Sequence, residues 1–224
     1  MKISTKKRKI GYVHNSISGY FSQPGKRSIN FESKLEKDFL TMISFDTQVE
    51  DIIEQPFTIE YEYDGKLRRY TPDFLVFFKN NGVHTKPLLV EVKRREELVK
   101  KFAEFKPKFK AAITYSNQED YFFKIYDQKR IYGTYFENIE LLKRYRRNKY
   151  PLPERERIMD YLSSTVKSTI DNILTYLHSE SINKNMAFGH ICQLLELKIL
   201  STDFKTPIHK NSVVWNTNKE LSHG

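Results

Sequence analysis

The segment Leu88-Leu89-Val90-Glu91-Val92-Lys93 places the tightest constraint on the fold. So short an apolar run, rich in strand-forming residues, reads as a central strand buried on both faces. Alternation along a strand sends Glu91 and Lys93 to one face and Val90 and Val92 to the other. A carboxylate and an ammonium therefore share one side of an otherwise apolar strand. A second segment, Tyr70-Thr71-Pro72-Asp73-Phe74-Leu75-Val76, sets another acid among strand formers 18 positions earlier (91 minus 73), with the turn sequence Asn80-Asn81-Gly82 between. If the two strands pair, both carboxylates can meet one cation. Taken singly, Pro-Asp is a common strand end and Glu-x-Lys a common solvated face. Their occurrence in this order, at strand positions, is the signal.

The flanking pattern supplies a mixed α/β domain. Phe31, Leu35, Phe39, Met42 and Ile43 lie on one side of a helix, which predicts a helix over about 31–45. Phe57 to Tyr63 alternates, Asp64-Gly65 makes a tight turn, and Arg69 to Phe78 resumes as strand. Helices are expected near 95–105 and 107–115, Pro107 opening the second. Tyr121 to Tyr126 follows as strand and Asn138 to Arg147 as a closing helix. The prolines of Lys149-Tyr150-Pro151-Leu152-Pro153 mark a boundary. The expected organisation is a basic arm over 1–30, a catalytic domain over 31–150 and a small domain over 151–224. In that last part, three helical patterns precede two strand-like stretches, Ile199 to Phe204 and Ser212 to Trp215, with Lys205-Thr206-Pro207 at the tip. Such an order suits a winged helix, whose third helix would present Lys184, Asn185, His190 and Gln193 outwards to DNA or to a protein.

Charge narrows the partner. The 224 residues hold 38 Lys and Arg against 28 Asp and Glu, a formal charge of +10, and such a balance favours a polyanion. Residues 1–30 carry seven basic side chains and no acid. Lys6, Lys7, Arg8, Lys9, Lys26 and Arg27 are therefore the expected DNA contacts. The single Cys192 permits no internal disulfide, and no apolar stretch approaches the ~20 residues that span a bilayer. A cytoplasmic protein is expected.

Two strand carboxylates beside a lysine, in a basic chain, suit phosphodiester hydrolysis. That reaction needs an activated water and relief of charge on the phosphate and on the leaving oxygen. Mg²⁺, with Mn²⁺ as a substitute, supplies all three and takes one or two carboxylates plus water and phosphate oxygens. Asp73 and Glu91 are the expected ligands, helped by the backbone carbonyl of Val92. Lys93 would orient or deprotonate the water, or hold charge on the phosphate.

Pro72-Asp73 followed by Glu91-Val92-Lys93 resembles the PD-(D/E)xK nuclease superfamily. The run Glu32-Ser33-Lys34-Leu35-Glu36-Lys37-Asp38-Phe39-Leu40, then Glu54-Gln55-Pro56, then Tyr70 to Val76, is similar to the TnsA endonuclease family. The resemblance covers about 28–95. It implies a restriction-endonuclease-like mixed sheet flanked by helices, with a winged-helix-like tail. It also implies a third acid, Glu36, on the first helix. Ser33 and Glu36 have the spacing of a capping box, so a purely structural role competes. Because the apolar stripe starts at Phe31, the helix is expected to be under way by Ser33, and Glu32 is the fallback. By this resemblance the chain is the subunit of a heteromeric transposase that cuts the 5′ ends of a transposon. A DDE transposase of the TnsB kind would cut and join the 3′ ends, and an AAA+ regulator of the TnsC kind would dock on the C-terminal region. The competing readings are a free-standing restriction or repair nuclease and a non-catalytic DNA-binding regulator.

Overall fold

The computed structural model describes residues 3–4, 17–22, 25–80, 85–179 and 184–217. The chain divides into two compact units, Met1–Ile131 and Tyr132–Gly224. Among the described residues no helix is long and apolar enough to cross a membrane.

In the first unit, short strands β1 (Ile3–Ser4), β2 (Gly19–Phe21) and β3 (Ile29–Phe31) precede helix α1 (Lys34–Ile43). Then come β4 (Val49–Glu54), β5 (Thr58–Tyr63), β6 (Lys66–Tyr70), β7 (Phe74–Phe78) and β8 (Leu88–Val92). Helices α2 (Arg95–Lys100) and α3 (Phe102–Gln118), strand β9 (Phe122–Tyr126) and α4 (Gln128–Ile131) complete it. The principal sheet has the order β4-β7-β8-β9, antiparallel except for the parallel pair β8 and β9. A second sheet, β1-β5-β6, contains the hairpin turning at Asp64 and Gly65, both in the left-handed region that such a turn requires.

All five residues of β8 are buried, as expected of a central strand. Helix α1 packs towards β3, β8 and α4, and α3 packs on β5 and β9. Phe39 of α1 is fully buried, with its ring centroid 5.4 Å from Phe74 and 4.9 Å from Tyr126. On the other side, Leu75 and Leu89 join Ile59, Tyr70, Ala112 and Tyr115 in a single cluster. The sheet is thus covered on both faces. Phe39→Ala is expected to cost about 3–5 kcal/mol in chemical denaturation of the chain, the loss typical of a buried Phe truncated to Ala.

Four features differ from the sequence expectation. Phe31 ends strand β3, paired with β2, so α1 starts only after Ser33, which is its N-cap. Strand β4 was not anticipated because Glu50, Asp51 and Glu54 interrupt its alternation. The break between helices falls at Lys101, and Pro107 sits inside α3. A proline removes one backbone donor from a helix, and the buried stripe Phe105, Phe109, Ala112 and Tyr115 offsets that loss. The division between compact units falls after Ile131 instead of at the prolines. The helix expected to close the catalytic domain, here α5 (Thr134–Lys143), belongs to the second unit. Its Asn138 donates to the carbonyls of Phe204 and Thr206 and accepts from the amide of Ile208.

The second unit continues with α6 (Leu152–Thr165), β10 (Lys167–Thr169), α7 (Ile170–Ser179), α8 (Lys184–Glu196), β11 (Leu200–Thr202) and β12 (Val213–Asn216). The three strands form an antiparallel sheet of order β10-β12-β11. Two α8 residues expected to face outwards do not. His190 is buried, its Nδ1 3.0 Å from Glu154 Oε1 and its ring stacked on Tyr150 at 4.7 Å. Gln193 is half-buried and donates to the carbonyls of Tyr145, Arg146 and Asn148. The side chains of Lys184 and Asn185 lie outside the described set. Cys192 is free and buried, and burial pushes its thiol up to about 12.

Candidate active site

The pairing of β7 with β8 sets the geometry. The ladder ends with Phe74 paired to Val90 and Leu75 to Leu89, and Asp73, one residue beyond it, has its carboxyl near enough to that of Glu91 for the two charges to interact. Thr71-Pro72 separates β6 from β7, carrying the chain out of the hairpin and into the principal sheet. Asp73 is pinned there through its backbone: its N–H donates to Val90 O at 3.0 Å and its carbonyl accepts from Gln55 N–H at 2.8 Å. Its carboxylate Oδ2 accepts the Val92 N–H at 2.7 Å, a short charge-assisted bond.

Glu91 follows on the face that Leu89 shares with α3. It is buried, with 2% of its surface exposed, and both its oxygens are engaged. Tyr70 Oη donates to Oε2 at 2.8 Å and Lys108 Nζ donates to Oε1 at 2.7 Å. Lys93 Nζ lies 4.0 Å from the same Oε1, too far for a direct hydrogen bond, and keeps 29% side-chain exposure. Lys93 is therefore the ammonium with access to solvent.

Glu36 reaches the same neighbourhood from α1. Burial pushes the Asp73 carboxyl well above the usual carboxylate range, and the negative charges of Glu91 and Glu36 push it further. The Val92 N–H and the Lys93 ammonium pull in the opposite direction. Burial also raises Glu36, against its bonds to the Glu32 backbone and the Ser33 side chain. Tyr70 is raised far above its ordinary value by burial, then by the charges of Glu91 and Asp73, so its hydroxyl stays a donor.

The capping arrangement expected as the competing role for Glu36 is present. Ser33 Oγ accepts the Glu36 N–H at 3.2 Å and donates to Glu36 Oε1 at 2.8 Å, while Glu32 N–H donates to Glu36 Oε2 at 2.7 Å. Both oxygens of Glu36 thus face the helix start. Consistent with that, among the described residues no group of three or more His, Cys, Asp or Glu side chains is gathered as a cation cage. Glu32 accepts from the Gln55 side-chain amide at 3.0 Å. Gln55 itself is held at φ 43°, a left-handed conformation that costs a non-glycine residue energy. It links the Glu32 carboxylate to the Asp73 backbone, which gives the Glu54-Gln55-Pro56 segment a physical role.

The basic arm is a separate matter. Lys6, Lys7, Arg8 and Lys9 lie outside the described residues. Lys26 Nζ donates to Glu50 O at 2.6 Å, and Arg27 donates to Ile52 O at 3.0 Å with Glu54 Oε2 at 3.8 Å. Both side chains bind back onto β4. Tyr70 and Lys108 are the site residues that sequence reasoning missed. The available signal was a lysine at 108, in register with an apolar stripe at 105, 109, 112 and 115.

Residues 46–128 match the TnsA-like endonuclease N-terminal family, a span that includes Asp73, Glu91, Lys93 and Lys108 and excludes Glu36. No curated protein matches the chain significantly. The mixed sheet with helices on both faces and the nearness of Asp73 to Glu91 accord with that match: over residues 46–128 the chain is similar to the TnsA-like endonuclease N-terminal domain, of the restriction-endonuclease-like fold.

Proposed function

We propose that the first unit is a divalent-cation-dependent nuclease that hydrolyses phosphodiester bonds at the 5′ ends of a transposon, as one subunit of a heteromeric transposase. The observation that carries this reading is the meeting of Asp73 and Glu91 across β7 and β8, with the Lys93 ammonium beside them. The donor set fits a hard cation: two carboxylates, oxygen only, at a strand end where burial and then the Glu91 charge already raise Asp73. Asp73 and Glu91 would hold Mg²⁺ or Mn²⁺, with the Val92 carbonyl as a further donor and Glu36 joining if it leaves its cap. The bound ion supplies a lowered pKa for water and charge relief at the phosphate.

The chain's own residues do the rest. Val92 N–H fixes the Asp73 carboxylate, so one oxygen stays directed while the other is available. Lys93, partly exposed and on the Glu91 face, places an ammonium at the scissile phosphate and orients the attacking water. The basic arm, Lys6 to Lys9, adds affinity for backbone phosphates independent of sequence, whereas Lys26 and Arg27 are engaged by β4.

For the second unit, the order after α5 of helix, strand, two helices, two strands supports a winged helix, with α8 as the third helix of that run. The AAA+ regulator is the proposed occupant there, and the DDE transposase the partner at the transposon ends.

The test is cleavage of transposon-end DNA in Mg²⁺ by the purified chain, with and without the transposase subunit. Cutting only when the transposase is present is expected. Efficient sequence-specific cutting by the chain alone would make it a free-standing restriction or repair nuclease instead. The two roles of Glu36 separate by substitution. Ser33→Ala removes the cap hydroxyl and is expected to cost about 1 kcal/mol of stability with cleavage retained. Glu36→Gln is expected to lose cleavage; equal activity in both variants would leave Glu36 a capping residue only.

A further inference from the structure

Lys108 is a charged side chain in an apolar stripe that the proposed chemistry leaves without a role. It lies on α3 between Phe105 and Phe109, in register with Ala112 and Tyr115, where helical spacing calls for an apolar residue. Lys106 and Lys110, two positions to either side, are exposed, whereas the Lys108 side chain keeps 19% exposure. Its ammonium sits 4.7 Å from the Phe105 ring centroid, 4.9 Å from Tyr70 and 5.2 Å from Phe109. Those rings favour a cation in place, but the partner that fixes it is Glu91 Oε1 at 2.7 Å. A lysine with four flexible carbons ordinarily turns its head to water. This one turns inwards to a buried carboxylate.

Tyr70 completes the arrangement from the hairpin, donating to Oε2 at 2.8 Å. A carboxylate offers about four acceptor positions, so one donor on each oxygen leaves others open. We infer that Lys108 and Tyr70 are positioning residues that fix the Glu91 carboxylate, one oxygen each, so that its remaining acceptor positions face the space shared with Asp73 and Lys93. The inference rests on the reading of this site as a nuclease centre. It divides labour between the two lysines near Glu91: Lys108 orients the carboxylate, and Lys93, at 4.0 Å and more exposed, is left for the substrate. Partners of this kind, behind a metal ligand, change metal affinity or activity by about 10–100-fold when removed.

The experiment is calorimetric titration of the full chain with Mn²⁺, without DNA, alongside circular dichroism and DNA binding in chelator. The variants are Lys108→Met, which keeps an apolar stem of similar length, Lys108→Arg, Tyr70→Phe and Asp73→Asn. Wild type is expected to bind Mn²⁺ and Asp73→Asn to lose that binding. Lys108→Met and Tyr70→Phe are each expected to weaken Mn²⁺ binding by about 10–100-fold with DNA binding unchanged, and Lys108→Arg to stay closer to wild type. Unchanged or tighter Mn²⁺ binding in folded Lys108→Met and Tyr70→Phe, while Asp73→Asn loses it, overturns the positioning role and leaves the nuclease reading standing. Absence of any Asp73-dependent binding in wild type overturns the nuclease reading itself. Should Lys108→Met fail to fold, Tyr70→Phe decides, because it removes a single hydroxyl.

Discussion

Asp73→Asn is expected to abolish cleavage, by about 10³-fold or more, while making the cation-free protein more stable at neutral pH. The loss follows from the ligand role: several kcal/mol of charge relief at the phosphate disappear with the carboxylate, and each ~1.4 kcal/mol is tenfold in rate. The gain follows from electrostatics. Burial, then Glu91 and Glu36, raise Asp73 well above its ordinary range. A group whose folded pKa exceeds its unfolded value near ~4 contributes stability below that value and loses it as pH rises through the folded one. The melting temperature of the chelated wild type should therefore fall over that window more steeply than that of the variant. Asn keeps an oxygen for the Val92 N–H, so the variant retains the bond that positions residue 73. Melting curves from acid to neutral pH in chelator check the sign. A variant less stable than wild type at neutral pH would contradict the electrostatic account.

Lys93→Met is expected to lower the rate by about 10²–10⁴-fold with DNA affinity nearly unchanged. The ammonium lies beside Glu91 but bonds it at no closer than 4.0 Å, so its removal leaves the carboxylate held by Lys108 and Tyr70. Lys93→Arg separates the two roles open to this residue. Arginine keeps the charge and cannot act as a base. Partial recovery in Lys93→Arg, read in single-turnover rates, is expected if the charge on the phosphate is what matters. Rates equal to those of Lys93→Met would assign the deprotonation of water to Lys93.

What the sequence revealed was whatever depends on alternation and local chemistry. Glu91 and Lys93 share a face of a buried strand because a period of two leaves no other choice, and Asp73 meets Glu91 because the strands are antiparallel neighbours. The Asp64-Gly65 turn was legible for the same reason. The start of the first helix was misjudged through Phe31: an apolar residue at helical spacing belongs instead to β3, where pairing with β2 buries it. Ser33 then becomes the cap and Glu36 its reciprocal partner. Strand β4 hid behind three acids whose neighbours across the sheet are not local in sequence. Lys108 hid because its partner is 17 positions away on another element. The prolines at 151 and 153 misled because they only open α6, which belongs to the same unit as α5 before it. His190 looked like a surface residue until a buried Glu154 supplied its partner.

The central claim is that Asp73, Glu91 and Lys93 hydrolyse a phosphodiester at the 5′ end of a transposon. Its most direct test is a reconstituted reaction in Mg²⁺, with transposase, on transposon-end DNA labelled separately on each strand and resolved on denaturing gels. The account predicts a nick at the 5′ end in wild type, its disappearance in Asp73→Asn, and continued 3′-end cutting by the transposase in both. Loss of no cut in Asp73→Asn, or a wild-type cut confined to the 3′ end, would contradict it.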